Sequence, residues 1–289
     1  MHRPLGASLL PVAAGFATLI TATGALAETK PDKWTDSAEF SYVSTAGNSE
    51  TSTFGLKDTL GRVWDRSSFE LKLGGIRSEA TTITRTAVGP SATNFSVVET
   101  SRSALTAENY FVSGRYDRKV SDRFFWYGGA GWDRNRFAGI ENRTIGAAGA
   151  GNIWRDTDRA KFRTDYALTY TKQEDLVASP ELKDTFGGVR VTSKFEHKAG
   201  EVATFHNDVI LDEDLRQTER WRGDMTNALS VTMSSHLALK VSLKWLYEHK
   251  PAFQSVELDN PLGTPTGLNV PVELKSLDTI FTSSLVVNF

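Results

Sequence analysis

Apolar and polar side chains alternate one by one along most of this chain, in stretches of about ten residues separated by polar turns. Leu237, Leu239, Val241, Leu243, Trp245 and Tyr247 alternate with Ala238, Lys240, Ser242, Lys244 and Leu246. Phe162, Tyr166, Leu168 and Tyr170 alternate with Arg163, Asp165, Ala167 and Thr169, and Phe205, Val209 and Leu211 with His206, Asp208 and Ile210. The last stretch puts Leu277, Thr279, Phe281, Ser283, Leu285, Val287 and Phe289 on one face. A repeat of two marks a strand whose two faces meet different surroundings, and the spacing of a helix is nowhere sustained.

Carried along the chain, the pattern predicts about twelve strands, with ten or fourteen as the alternatives. They are Trp34–Thr45, Glu50–Arg62, Ser67–Arg77, Ala104–Tyr116, Arg123–Arg134, Arg143–Trp154, Lys161–Thr171, Thr185–Phe195, Val202–Leu211, Trp221–Thr232, Leu237–His249 and Leu277–Phe289. The links between them sort by length. The even-to-odd links Val63–Arg66, Asp117–Asp122, Arg155–Ala160, Glu196–Glu201 and Met233–His236 are short. Most odd-to-even links are longer, Ser78–Ser103 and Lys250–Ser276 above all, and only Ala46–Ser49 is tight. Short turns at one end and long loops at the other are the habit of outer-membrane barrels, and a soluble β-sandwich gives no reason for such sorting. The predicted fold is all-β, a transmembrane antiparallel up-and-down β-barrel with both termini on the periplasmic side.

The two faces support this. One carries Glu39, Lys57, Glu70, Lys72, Arg163, Asp165, Arg190, Lys194, Asp208, Arg222, Asp224, Lys240 and Lys244. A dry core could not hold so many charges, but a polar lumen can. Arg163, Asp165, Arg190, Asp208, Arg222, Asp224, Lys240 and Lys244 are the lumen-lining candidates, with cross-strand pairing expected between Asp208 and Arg222 and between Asp224 and Lys240. The tryptophans, Trp34, Trp64, Trp126, Trp132, Trp154, Trp221 and Trp245, lie in strands or beside turns, as girdles at the two lipid–water interfaces would require.

Composition narrows the classes further. Thirty-three basic residues stand against 35 acidic ones, and the chain has no cysteine. A disulfide-stapled fold and a thiolate metal site are excluded, and a nucleic-acid partner is not expected of so balanced a charge. With 39% hydrophobic and 10% aromatic residues the chain is not a disordered one. At the N-terminus, His2 and Arg3 precede an apolar stretch from Leu9 to Leu26, and Ala25-Leu26-Ala27 closes it. This predicts a secretory signal peptide over residues 1–27, cleaved after Ala27, then a short periplasmic segment 28–33 and the barrel over 34–289. Glu28 stands where a lipoprotein would have cysteine. The expected location is the outer membrane of a Gram-negative bacterium.

The stretch from Trp34 through Ala46-Gly47-Asn48-Ser49-Glu50-Thr51 resembles the first hairpin of the salt-induced outer-membrane proteins, a bacterial outer-membrane β-barrel family of unknown function. The resemblance extends through Leu237–Pro251 and Asp278–Phe289. Its motifs are structural: Gly47 and Asn48 suit a tight turn with positive φ. It implies a link to salt or osmotic conditions and supplies no catalytic residue and no cofactor. The terminal Phe289 on an alternating strand resembles the assembly signal of outer-membrane barrels, which implies the barrel-assembly machinery as a partner during biogenesis. Outer-membrane lipids and lipopolysaccharide are the other expected partners, and a homo-oligomer is left open.

Three clusters could carry chemistry. His206 could meet Asp224 on the next strand, with Ser242 one strand further round, as a lipid-acting hydrolase would need; the plainer reading is one polar lumen residue among many, and no nucleophile motif is present. Asp212, Glu213 and Asp214, with Arg216, Glu219 and Arg220, read as an external loop that is either simply solvated or holds divalent cations between lipopolysaccharide phosphates. Gly128, Gly129, Ala130 and Gly131, beside Gly146 to Gly151, read as room for bulky neighbours such as Phe125 and Tyr127, with dimerisation left open. The expected function is a small channel or envelope component linked to ionic conditions, and not an enzyme. An integral lipid-acting enzyme and an adhesive barrel with partner-binding loops are the alternatives.

Overall fold

The computed structural model describes residues 33–45, 49–91, 94–178, 182–259 and 265–289. The expected signal peptide and most of segment 28–33 lie outside the described residues, as do Gly47 and Asn48 of the first hairpin turn. Fourteen strands follow in order: β1 (Trp34–Thr45), β2 (Ser49–Val63), β3 (Ser67–Ser91), β4 (Asn94–Lys119), β5 (Phe124–Asn135), β6 (Ile140–Asp156) and β7 (Ala160–Asp175), then β8 (Thr185–Ala199), β9 (Ala203–Asp214), β10 (Trp221–Thr232), β11 (Leu237–Glu248), β12 (Phe253–Asp259), β13 (Pro265–Glu273) and β14 (Leu277–Asn288). Twelve of them close into an antiparallel barrel, in ring order β1-β14-β11-β10-β9-β8-β7-β6-β5-β4-β3-β2, and β12 and β13 form a separate hairpin. A 3₁₀ turn at Arg136–Ala138 joins β5 to β6.

Two predicted loops are corrected. The described part of Ser78–Ser103 is strand: β3 runs on to Ser91 and β4 starts at Asn94, paired from Glu79↔Leu105 to Val88↔Ser96 after a register shift at Ser78/Glu79, and beyond Thr82, where β2 ends, they form a two-stranded ribbon. Lys250–Ser276 likewise contains β12 and β13, with Val256 opposite Val270 and Leu258 opposite Leu268. Serine, threonine and valine dominate the first segment, and such residues take an extended backbone readily even where no face is dry. The alternation that signals a half-buried strand fades in the first segment, and in the second it is kept by Val256 and Leu258 and by Leu268, Val270 and Val272 only over short runs interrupted by prolines.

The barrel seals where β1 meets β14. Only Ser37 to Phe40 pair with Leu285 to Asn288 at this seam, whereas β1 and β2 pair along the whole length of β1. The Ser37 hydroxyl donates to Asn288 Oδ1 (2.9 Å) and the Phe289 N–H donates to the Asp36 carbonyl (2.9 Å), which extends the seam by side chain and backbone.

Register fixes which residues point in. Glu39, Lys57, Asp165, Lys240 and Lys244 are buried, while Phe40, Tyr166, Leu168, Val241 and Phe281 on the alternate positions are exposed. Leu168 is 68% exposed beside Asp165 at 0%, an inversion that suits a chain whose surroundings are apolar and whose interior is polar. By strand parity Trp34, Trp126, Trp132, Trp154, Trp221 and Trp245 all face outward. Trp34, Trp126 and Trp154 lie at the end with the short turns; Trp221 lies at the loop end, packed on Tyr247 with ring centroids 4.8 Å apart. At the short-turn end the Arg62 guanidinium lies over both Trp34 and Trp64, 5.2 and 5.0 Å from the ring centroids. The outward face is thus an apolar band with aromatic margins, and the molecule is a barrel of the outer-membrane type.

Val241→Arg, on the outward face of β11, is expected to cost about 2–4 kcal/mol if that residue sits near the bilayer midplane. Val241→Leu should cost almost nothing. Urea unfolding of the refolded protein in lipid measures both, and equal stabilities would place Val241 away from lipid.

Candidate functional site

The inward faces meet in a lumen laced by charge. Its strongest feature is a chain of four side chains on β4 and β7, strands separated in the ring by β5 and β6. Arg115 donates to Asp117 on its own strand (2.6 Å) and to Asp165 on β7 (3.1 Å), and Arg163 on β7 donates back to Asp117 (3.2 Å). These bonds cross the interior rather than run along the wall. Below them lies a small apolar cluster of Phe125, Tyr127 and Ala167. The Arg115 guanidinium covers the Tyr127 ring at 3.7 Å from its centroid, so the cluster is roofed by a cation–π contact.

The glycine-rich patch explains how the cluster fits. A Cβ on Gly151 would collide with the Phe125 ring, and one on Gly149 would collide with the backbone of Tyr166 and Ala167. Gly128 and Gly146, on the outward parity, have open space instead. The inward glycines of β6 therefore make room for Phe125 and for close approach of β7, which is the packing role read from the sequence.

Toward the loop end, Asp212 accepts two bonds from Arg190 (2.6 and 2.9 Å) and one from Arg222 (2.9 Å), bridging β8, β9 and β10. Asp133 holds Arg143 in a bidentate pair (2.9 Å each), and Arg143 reaches to 3.8 Å from Glu248. β6 and β11 have four strands between them the shorter way round, so this contact also spans the lumen. Near the seam, Glu39 accepts from Lys57 (3.0 Å) and Lys240 (2.9 Å), tying β2, β1 and β11 together across β14. Lys244 lies 3.5 Å from Asp224.

All eight residues named from the sequence as lumen-lining face inward, but the structure pairs them differently. Arg222 sits opposite Asp212, four residues along the strand from the position that faces Asp208, about 13 Å at 3.3 Å per residue. Asp208 is opposite Lys194 instead. Asp224 is opposite Leu246, six residues from Lys240, so Lys240 turns to Glu39 and Asp224 to Lys244. Register, which the sequence did not specify, decides each partner.

The other clusters change as well. His206 and Ser242 both lie opposite Ala228, but Asp224 is four residues away along β10, and His206 lies 3.9 Å from Glu196. The expected His206–Asp224 contact is not made. Asp212, Glu213 and Asp214 belong to β9 rather than to an external loop. Asp212 is taken by two arginines, and Asp214 accepts the N–H groups of Arg216 (2.8 Å) and Gln217 (3.3 Å) as the strand turns. Neither is left over to hold a cation in that cluster.

Arg115, Asp117, Asp133, Arg143 and Glu248 were missed as lumen residues. Asp117 fell in a predicted turn because β4 was cut short, and Arg115 shares its parity with Phe111, which breaks the polar pattern of the inner face. Above these networks, at the loop end, lies a vestibule lined by Thr169, Thr171, Gln173, Asp175, Arg220, Glu248 and Ala252 among others.

A protein-family model described as a protein of unknown function, DUF481, matches residues 38–264. No curated protein matches the chain. Among solved structures, the NanC porin is 11% identical, with 88% of this chain and 97% of that chain covered and a TM-score of 0.43. The translocator domain of the autotransporter NalP from Neisseria meningitidis is 10% identical, with 89% and 86% covered and a TM-score of 0.40. The anion-selective porin from Comamonas acidovorans is 10% identical, with 89% and 99% covered and a TM-score of 0.36.

Glu39→Ala should deprive Lys57 and Lys240 of their shared anion and lower stability by about 3–5 kcal/mol. Lys240→Ala, which leaves the Glu39–Lys57 pair in place, should cost much less. Urea titration of the folded barrel in lipid compares them, and equal losses would show that Glu39 does not serve both lysines.

Proposed function

The chain belongs to the DUF481 family, whose members are proteins of unknown function, and on that footing we propose that it is an outer-membrane barrel acting as a narrow channel tied to ionic conditions, with its lumen closed in the state described by ion pairs. The observation that carries this reading is the Arg163–Asp117–Arg115–Asp165 chain between β4 and β7. A lumen meant only to be filled needs no charge, since apolar side chains fill a small barrel at lower desolvation cost. Charges of both signs, each satisfied by another, keep the interior wettable while blocking it. A shift of side chains within the lumen, without movement of the wall, is enough to open a path.

A pore built this way has little preference of sign while its pairs are intact, because every cation in the chain has a carboxylate beside it. The link to salt or osmotic conditions rests on the family resemblance. What supports it here is a lumen crossed by ion pairs of both signs.

Planar-bilayer recordings of the purified protein test the proposal. Arg115→Gln with Arg163→Gln should raise conductance and shift reversal potential toward cations, because Asp117 and Asp165 then face the lumen without their arginines. The parent should conduct less or in briefer openings. Silence in both proteins would make the barrel structural, and equal conductance in both would remove these pairs from the path.

A further inference from the structure

We propose that the base of the β12–β13 hairpin, Pro251 to Phe253 together with Leu274, is a strap across the loop-end mouth, latched on Gly139 of the opposite wall, which restricts entry to the vestibule until the strap lifts. The hairpin leaves the ring between β11 and β14, and Gly139 lies between β5 and β6. Six strands separate these two gaps on each side of the ring, so they face one another across the diameter. Any contact between them has to cross the opening.

The contact is close and specific to glycine. A Cβ at Gly139 would lie 2.6 Å from Ala252 Cβ and 3.1 Å from Leu274 Cδ1, with the Phe253 carbonyl oxygen at 3.7 Å. Gly139 also has φ of 75°, the left-handed region that other residues resist. The two legs of the strap are joined by the Leu274 N–H, which donates to the Ala252 carbonyl (2.9 Å), and the β7–β8 loop arrives at the same point through the Leu176 N–H donating to the Gly139 carbonyl (2.8 Å). Ala252 is 5% exposed and lines the vestibule itself. The strap is therefore the vestibule's roof.

Its two ends are held unequally. On the near wall the His249 N–H donates to the Trp221 carbonyl (3.0 Å), and Lys250 pairs with Glu219 of the β9–β10 loop at 2.6 Å. Lys250 holds the Glu219 carboxyl below its usual pKa range by hydrogen bond and charge. On the far wall the contact with Gly139 is one of packing. The near wall is thus the hinge and Gly139 the latch, and a small loss of fit at the latch frees the strap without breaking the barrel. The strap itself follows from the contacts just given; that it gates a current rests on the channel reading.

Thiol labelling tests the strap directly, because the chain contains no cysteine. Thr171 lines the vestibule and is 1% exposed, so Thr171→Cys reports on access. Modification of the folded protein in detergent by a bulky water-soluble maleimide should be slow with the native latch. Adding Gly139→Val, which has neither the room nor the backbone conformation, should make it severalfold faster. Ala252→Leu strains the same latch from the strap side and takes over if Gly139→Val does not fold. Fast labelling with the native latch, or unchanged labelling in a folded latch variant, overturns the proposal. Conductance is scored separately: faster labelling with no current in any variant keeps the strap and removes the channel reading.

Discussion

Closure is the constraint on which the rest of this structure depends. A strand in an apolar medium must have every backbone N–H and C=O paired, and an open sheet always leaves two edges that are not. Here the last pairing is the short seam between β1 and β14, and the molecule reinforces it from three directions. Ser37 and Asn288 bond across it, the Phe289 N–H reaches Asp36, and Glu39 on β1 draws in Lys240 from the far side of β14. The buried charges nearest the seam are thus part of what holds the ring shut, and the lumen cannot be considered apart from the wall.

The interior follows the same economy. Each carboxylate at the centre of a network serves two cations, as Glu39 serves Lys57 and Lys240 and Asp212 serves Arg190 and Arg222, or stands in a chain that alternates sign, as in Arg163–Asp117–Arg115–Asp165. Alternation lets long side chains extend into the bore without isolated charge. An apolar cluster at Phe125 and Tyr127 sits inside this polar interior because glycines on β6 recess the wall behind it and an arginine covers its open side.

Strand number, sheet closure and the facing of every lumen candidate were legible in the sequence, because inside and outside differ so sharply in polarity that period two survives along each strand. The spans of β1 and β10 matched to the residue for the same reason. Partners were not legible. Arg222 has acidic residues at three inward positions of β9, Asp208, Asp212 and Asp214, and which of them it meets depends on register, a property of the pairing rather than of either strand. The strands of the ribbon do not lie against the barrel's interior and their polarity carries no period, while those of the β12–β13 hairpin alternate only over short runs interrupted by prolines. The latch at Gly139 could not be read either: nothing in the chain says that a glycine in one turn will meet an alanine more than a hundred residues away.

The register shift at Ser78/Glu79 marks where β3 begins to leave the wall for the ribbon. β2 follows β3 as far as Thr82 and β5 follows β4 back to Asn109, so beyond Thr82 the two strands answer only to each other. Residues can therefore be gained or lost in matched pairs at the ribbon without moving any side chain in the barrel from one face to the other. In evolutionary terms, this is the part of the chain free to vary in length while the barrel below it keeps its register, and it is where relatives of one architecture can come to present different surfaces to the outside.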